Sequence, residues 1–105
     1  MSHLINFETL SWIEPAIGIR YKKYVNGNQQ LRLVEFSEGF VELDWCSNGH
    51  AGYVVEGTFA NDYNGDLEYY KAGDSFFITR GETDKHKVIM KKGERVLLLL
   101  FEINN

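Results

Sequence analysis

The sequence predicts an all-β fold of about nine or ten short antiparallel strands, closed into a barrel or folded into two sheets. Three observations predict it. Asn-Gly occurs at Asn26-Gly27, Asn48-Gly49 and Asn64-Gly65, and this pair favours type I′ hairpin turns because both residues tolerate positive φ. The stretches KAGD (71–74), TRGE (79–82) and KKGE (91–94) add further turns, so turn signals recur about every ten residues. The segments between them are rich in Val, Ile, Tyr, Phe and Leu, and none shows a sustained helical period.

Taken in order, residues 3–7 (HLINF) form the first predicted strand, and residues 8–14 allow at most a helical turn. Pro15, the only proline, belongs outside any central strand because it lacks an N–H for the ladder. Strands follow at 17–25 and 30–36 around Asn26-Gly27, then at 39–46 (GFVELDWC). Asn48-Gly49 turns the chain into 52–61, and Asn64-Gly65 turns it again into 66–71. The last three strands are 75–79, 85–91 and 95–103, separated by glycine turns. The run VLLLLF (96–101) is apolar at every position. A strand with two apolar faces is covered on both sides, which points to a homodimer.

With 105 residues, one domain is the expectation, large enough to bury roughly 65% of its unfolded surface in a single core. Fifteen acids against eleven bases give a net charge of −4, which argues against a general nucleic-acid binder. A lone cysteine cannot make an internal disulfide and fits a reducing, cytoplasmic setting. The N-terminal MSHLINFETL has no basic start and no long apolar block, so no leader is read there. The six-residue run VLLLLF is far shorter than a membrane span.

Two stretches carry a family likeness. FVELDWCSNGHAGYVVEGTF, with Gly39 before it, and GDSFFITRGETDKH, with Gly73 and Gly81, frame residues 39–59 and 73–88. Their glycine spacing and apolar blocks resemble the two motifs of the small single-domain, RmlC-like cupins. The resemblance implies a cupin-type double-stranded β-helix, a jelly-roll barrel, over residues 1–105. It also implies a pocket inside the barrel where that family holds a divalent metal on three histidines and a glutamate. Counting back from Gly57, the glutamate position holds His50, and the two histidine positions hold Asp44 and Cys46. The second-motif histidine position holds Asp84, and His86 lies two residues on, hence on the same strand face. None of the four family ligands is present as its usual residue.

Asp44, Cys46, His50, Asp84 and His86 nonetheless have ligand chemistry. Two imidazoles with a carboxylate make a facial site for iron, and an added thiolate favours zinc. The metal ligands expected here are His50, His86, Asp84 and Cys46, with Tyr53 completing the pocket wall; zinc, iron, manganese and nickel all remain open, as does no metal at all. Strand alternation raises a conflict at 40–46. Val41, Leu43 and Trp45 alternate with Phe40, Glu42, Asp44 and Cys46, and burial of the apolar set would turn Asp44 outward, whereas the cupin alignment turns it inward. His86 has no such conflict, because it alternates with Lys85 and Lys87.

Each candidate has a plainer reading. A single cysteine is usually a small buried hydrophobe, His50 fits a hydrogen-bonded turn, and Asp84 beside Lys85 fits a loop acid. Nucleophilic use of Cys46 with His50 as base ranks lower, since nothing in the sequence marks an oxyanion hole. Trp12 and Trp45 suit an interface. Three functions stay open: a small-molecule binder with a divalent metal, with or without a catalysed reaction; a metal-free small-molecule binder; and a structural or dimerisation module.

Overall fold

The computed structural model describes residues 3–103, which contain eight strands and a short 3-10 turn. The strands are β1 (Ile13–Ala16), β2 (Ile19–Asn26), β3 (Gln29–Ser37), β4 (His50–Tyr63), β5 (Asp66–Lys71), β6 (Ser75–Ile78), β7 (Lys87–Ile89) and β8 (Arg95–Ile103). All pairings are antiparallel. Neighbours run β1-β2-β3-β8-β4-β5, with β6 and β7 also on β4.

β4 joins the two halves of the fold. Its first part pairs with β8 and β6, and its second part, from Thr58 on, pairs with β5 and β7. The change of partners follows a register shift between Val54 and Glu56 and then Gly57, whose φ is 82°. Two sheets thus share one bent strand, and their inner faces close on a common core. This is the cupin-type jelly roll. Val34, Phe36, Val54, Phe59, Tyr70, Val96, Leu98 and Leu100 fill it, with Ile19, Tyr21, Phe40, Phe76, Val88 and Met90 packed around them. No helix among the described residues is long and apolar enough to cross a membrane.

The turn chemistry is mixed. Asn64-Gly65 makes the expected hairpin: both φ values are positive, at 56° and 104°, as a type I′ turn requires. In the first hairpin Asn26 pairs with Gln29, so Gly27 and Asn28 form the turn. Only Gly27 has positive φ there, the pattern of a II′ turn. Asn48-Gly49 is not a turn. Gly49 is needed for another reason: a Cβ there would stand 3.0 Å from the Ile78 carbonyl oxygen.

Two expected strands are absent. Residues 3–6 have no regular structure, and Phe7–Thr9 form the 3-10 turn, capped by the Asn6 side chain accepting from Glu8 N–H at 3.0 Å. Residues 40–49 make no ladder beyond one isolated bridge at Cys46. An additional strand, β1, forms at the sheet edge and contains Pro15, where a missing N–H costs least.

β8 shows how the core is read from alternation. Val96, Leu98, Leu100 and Glu102 face inward and are buried, while Leu97, Leu99, Phe101 and Ile103 face the other side. An acid therefore ends an otherwise apolar inward row. On the adjacent strand Arg32 lies opposite Leu100, and Gln30 lies opposite Glu102, so the inward row of β3 meets that acid with a cation and an amide.

Candidate functional site

Cys46 and His86 are forty residues apart in sequence and joined by two backbone hydrogen bonds. Cys46 N–H donates to the His86 carbonyl, and His86 N–H donates to that of Cys46, each at 2.9 Å. A doubly bonded antiparallel pair places its two side chains on one face, side by side. This single bridge pins the loop before β4 to the segment before β7. His50 opens β4 four residues later, and its Nε2 lies 3.7 Å from Cys46 Sγ. The rings of His50 and His86 meet edge to face at 5.3 Å between centroids. One donor atom from each of Cys46, His50 and His86 lies within 4.8 Å of the others.

Both imidazoles are oriented from behind. His50 Nδ1 is 2.7 Å from Glu102 Oε1, although the carboxylate sits off the N–H axis and the contact is an ion-pair approach more than a straight hydrogen bond. His86 Nδ1 is 3.1 Å from the Asp84 carbonyl oxygen. Acceptors behind both Nδ1 atoms hold a proton there, so that in the neutral imidazole the lone pair is on Nε2. Glu102 is itself held by Arg32 and by Gln30, the latter at 3.2 Å.

The electrostatics follow from these contacts. The His50 hydrogen bond, then that of His86, brings the Cys46 thiol down to about 6, against a smaller opposing effect of burial. Burial alone would lower His50, but Cys46 and Glu102 outweigh it and raise it to about 9. His86 is raised in the same way by Cys46 and the Asp84 carbonyl, against burial. For Glu102 burial would raise the carboxyl, but His50 and Arg32 outweigh it and hold it down at about 2. The cluster therefore favours a thiolate facing imidazole nitrogens.

The conflict over residues 40–46 resolves toward the pocket. Phe40 packs on Phe36 with ring centroids 4.9 Å apart, and Glu42 turns inward, accepting from Val88 N–H at 2.9 Å. Val41 and Leu43 are left 70% and 80% exposed. The apolar set loses because this segment is not a sheet strand: the Glu42 carboxylate satisfies a ladder donor that no neighbouring strand reaches. Burial raises the Glu42 carboxyl even so. The chain bends at Asp44, which is exposed and outside the cluster. Trp45 lies outward, with Lys87 Nζ 4.6 Å and Lys85 Nζ 5.5 Å from its ring centre. Trp12 is covered in the same manner by Arg20 and Lys22.

Of the residues expected at the site, Cys46, His50 and His86 come together and two do not. Asp84 contributes its backbone carbonyl to His86 rather than its carboxylate to the cluster, and its side chain borders a separate hollow with Tyr63, Glu68 and Tyr70. Tyr53 is 46% exposed on the outer face of β4, because its neighbour Val54 takes the inward position at 0%. Sequence reasoning missed Glu102, Arg32, Glu42 and Asn61. Glu102 had a visible signal, since it continues the inward row of β8; Arg32 had the same signal in β3, ahead of Val34 and Phe36.

The cluster opens into a cavity of about 240 Å³ inside the barrel. Its walls include Phe36, Phe59, Phe76, Val88, Leu98 and Leu100, and exposed Asn48 stands at its rim. A larger groove of about 460 Å³ runs along Glu14, Ile17, Arg20 and Glu35, but it contains no thiol or imidazole and does not touch the cluster.

No protein-family model matches the sequence, and no curated protein matches it. Solved structures match the fold over its full length. The polyketide cyclase RemF from Streptomyces resistomycificus superposes with a TM-score of 0.81 at 20% identity, covering 100% of this chain and 81% of that one. An RmlC-like cupin from Shewanella frigidimarina NCIMB 400 gives 0.77 at 20%, covering 100% and 93%. KdgF from a Halomonas species gives 0.74 at 23%, covering 100% and 96%.

Proposed function

We propose that this cupin-type barrel binds a small molecule beside a divalent metal, with zinc the best match, held by Cys46 Sγ and the Nε2 atoms of His50 and His86. The observation that carries the proposal is the orientation of the two imidazoles, each with Nδ1 turned to an acceptor, together with a donor atom from each ring within 4.8 Å of the thiol. The spacing fits as well. Zinc–sulfur and zinc–nitrogen bonds of about 2.3 and 2.05 Å at a tetrahedral angle separate S and N by about 3.6 Å, and Cys46 Sγ to His50 Nε2 is 3.7 Å. Three protein ligands leave a fourth position free for a ligand atom. When bound, such a metal supplies Lewis acidity to an oxygen or nitrogen of that ligand. The protein residues do the rest: Glu102 and the Asp84 carbonyl fix the imidazoles, and the apolar walls exclude water.

Metal analysis of purified protein tests this. The wild type is expected to carry about one divalent ion per chain. His50→Ala, His86→Ala and Cys46→Ala are each expected to retain less than about a tenth of that, since a site with only three protein ligands cannot lose one and keep its affinity. Equal metal content in all four preparations would leave the pocket as a metal-free binding site.

The same reading includes a homodimer in a reducing cytoplasm. Its support is the outer face of the β3-β8-β4-β6 sheet, where Leu97, Leu99, Phe101, Ile103, Tyr53 and Phe77 lie without a covering layer, Phe77 at 83% exposure. Apolar along these rows, with the charged pair Glu35 and Arg95 at one end, this face complements a second copy of itself across a two-fold axis. Sedimentation of the wild type at micromolar concentration is expected to give twice 12.1 kDa. The double variant Phe77→Asp/Phe101→Asp is expected to run as a folded monomer. A monomeric wild type would remove the dimer from the proposal.

A further inference from the structure

Asn61, on the second half of β4, is 2% exposed and lies on the cavity wall. Its Nδ2 donates to Tyr63 Oη at 3.2 Å. Tyr63 Oη is 2.6 Å from Tyr70 Oη, and the Tyr70 hydroxyl donates to the Glu68 carboxylate. The direction of this chain is forced from its outer end. A carboxylate only accepts, so Tyr70 donates to Glu68, Tyr63 donates to Tyr70, and the Tyr63 oxygen is left to accept from Asn61. Burial and then the Glu68 hydrogen bond keep the proton on Tyr70 well above its ordinary range. The relay fixes the amide of Asn61 in one orientation, with Nδ2 toward Tyr63. Bonds polarised in a single direction reinforce one another.

The consequence lies at the other end. Asn61 Oδ1 is buried and accepts from no group among the described residues, and a buried unpaired carbonyl costs on the order of 1–3 kcal/mol. The antiparallel register sets Asn61 opposite Val88, and His86 stands two residues before Val88, on the same face. The Tyr63 and His86 rings are 6.0 Å apart. Asn61 and the Cys46–His50–His86 cluster therefore border one cavity, otherwise walled mostly by rings and aliphatic side chains, with Glu42 and Arg32 its charged members. The charge of Arg32, the guanidinium on that cavity, is balanced by Glu102, although its Nε is buried without a partner, so the cavity calls for polar contacts but not for an anion.

We infer that the cavity takes a neutral, ring-sized molecule bearing a hydroxyl group, whose hydrogen is donated to Asn61 Oδ1. The inference rests on the reading of this cavity as a small-molecule site and adds the class of ligand. Size agrees: an apolar cavity of about 150 Å³ suffices for benzene, and this one is about 240 Å³. Selectivity follows from the unpaired acceptor. A site built to hydrogen-bond a hydroxyl rejects the analogue that lacks it far more strongly than it rejects a change of one methylene.

Phenol and toluene differ only in hydroxyl against methyl and serve as the probes, with binding followed by ligand-observed NMR. Wild-type protein is expected to bind phenol at least about tenfold more tightly than toluene, with zinc or with chelator. Asn61→Leu is expected to abolish or invert the preference. Tyr63→Phe leaves the amide without its acceptor and free to flip, so it is expected to narrow the preference by about threefold or more; it carries the test if Asn61→Leu does not fold. Equal affinity for the two probes, no binding of phenol by the wild type, or an unchanged preference in both variants would overturn the inference. Zinc content is measured on the same samples. Loss of the phenol preference with zinc retained sinks the ligand class alone, and loss of zinc with the preference retained sinks the metal reading alone.

Discussion

Gly57→Ala is expected to remove about 3 kcal/mol or more of stability, a large share of the whole. Two costs add at this position. The residue has φ of 82°, and a left-handed backbone costs a non-glycine residue roughly 1–2 kcal/mol. A Cβ would also stand 1.8 Å from the Arg95 carbonyl oxygen and 3.0 Å from Val96 Cα. Those are backbone atoms of β8, and they cannot retreat. Arg95 and Val96 are paired on their other side with Ser37 and Phe36, and Val96 is 0% exposed. Relief therefore means moving a central strand out of register against a closed core. A chain of this length has a total stability of only about 5–15 kcal/mol. Gly65→Ala is the control: its φ is 104°, but a Cβ there meets nothing within 4 Å, so only the backbone cost of about 1 kcal/mol remains. Urea denaturation followed by circular dichroism separates the two. Similar midpoints for both variants would show that the corner of β4 yields easily and that the close approach is not what demands glycine.

The same corner explains why some of the fold was legible in the sequence and some was not. Strands β2 to β6 and β8 follow from alternation and from turns whose chemistry is local, such as Asn64-Gly65. The cupin frame was legible because glycines at 57, 73 and 81 mark backbone positions with positive φ, and such positions survive when the chemistry between them changes. Residues 39–46 were misread as a strand because their alternation is real but has no partner strand. What holds them is one bridge to His86, forty residues after Cys46, and Glu42 acting as a substitute ladder partner for Val88. Asn48-Gly49 carried the composition of a turn, yet its glycine serves close approach to Ile78. The cluster itself was half legible. Cys46, His50 and His86 are ligand types and were found as such, while Glu102 was hidden inside an apolar strand although its inward parity was countable.

Removing that hidden acid should have the second large effect, and two substitutions separate its two roles. Glu102 is 4% exposed, and its carboxylate receives Arg32, Gln30 and His50 together. Glu102→Ala leaves Arg32, whose side chain is only 21% exposed, without its counter-charge, and breaking such a pair from one side costs about 3–5 kcal/mol. The partial exposure of Arg32 places the expectation at the low end, about 3 kcal/mol in chelator-treated protein. The alanine also frees the His50 ring, and loss of an outer partner of this kind lowers metal affinity about 10- to 100-fold. Glu102→Gln keeps the shape and an oxygen for Arg32, so its stability loss should be smaller. Its amide can also donate to His50 Nδ1, which would move the imidazole proton to Nε2, the atom that must be bare to bind metal. The glutamine variant should therefore match alanine in lost metal affinity while keeping more of the stability. Urea denaturation in chelator reads the first quantity, and competition for zinc against a chromophoric chelator reads the second. A glutamine variant that holds zinc as tightly as the wild type would show that the carboxylate serves Arg32 and the core alone, and that the orientation of His50 is set elsewhere.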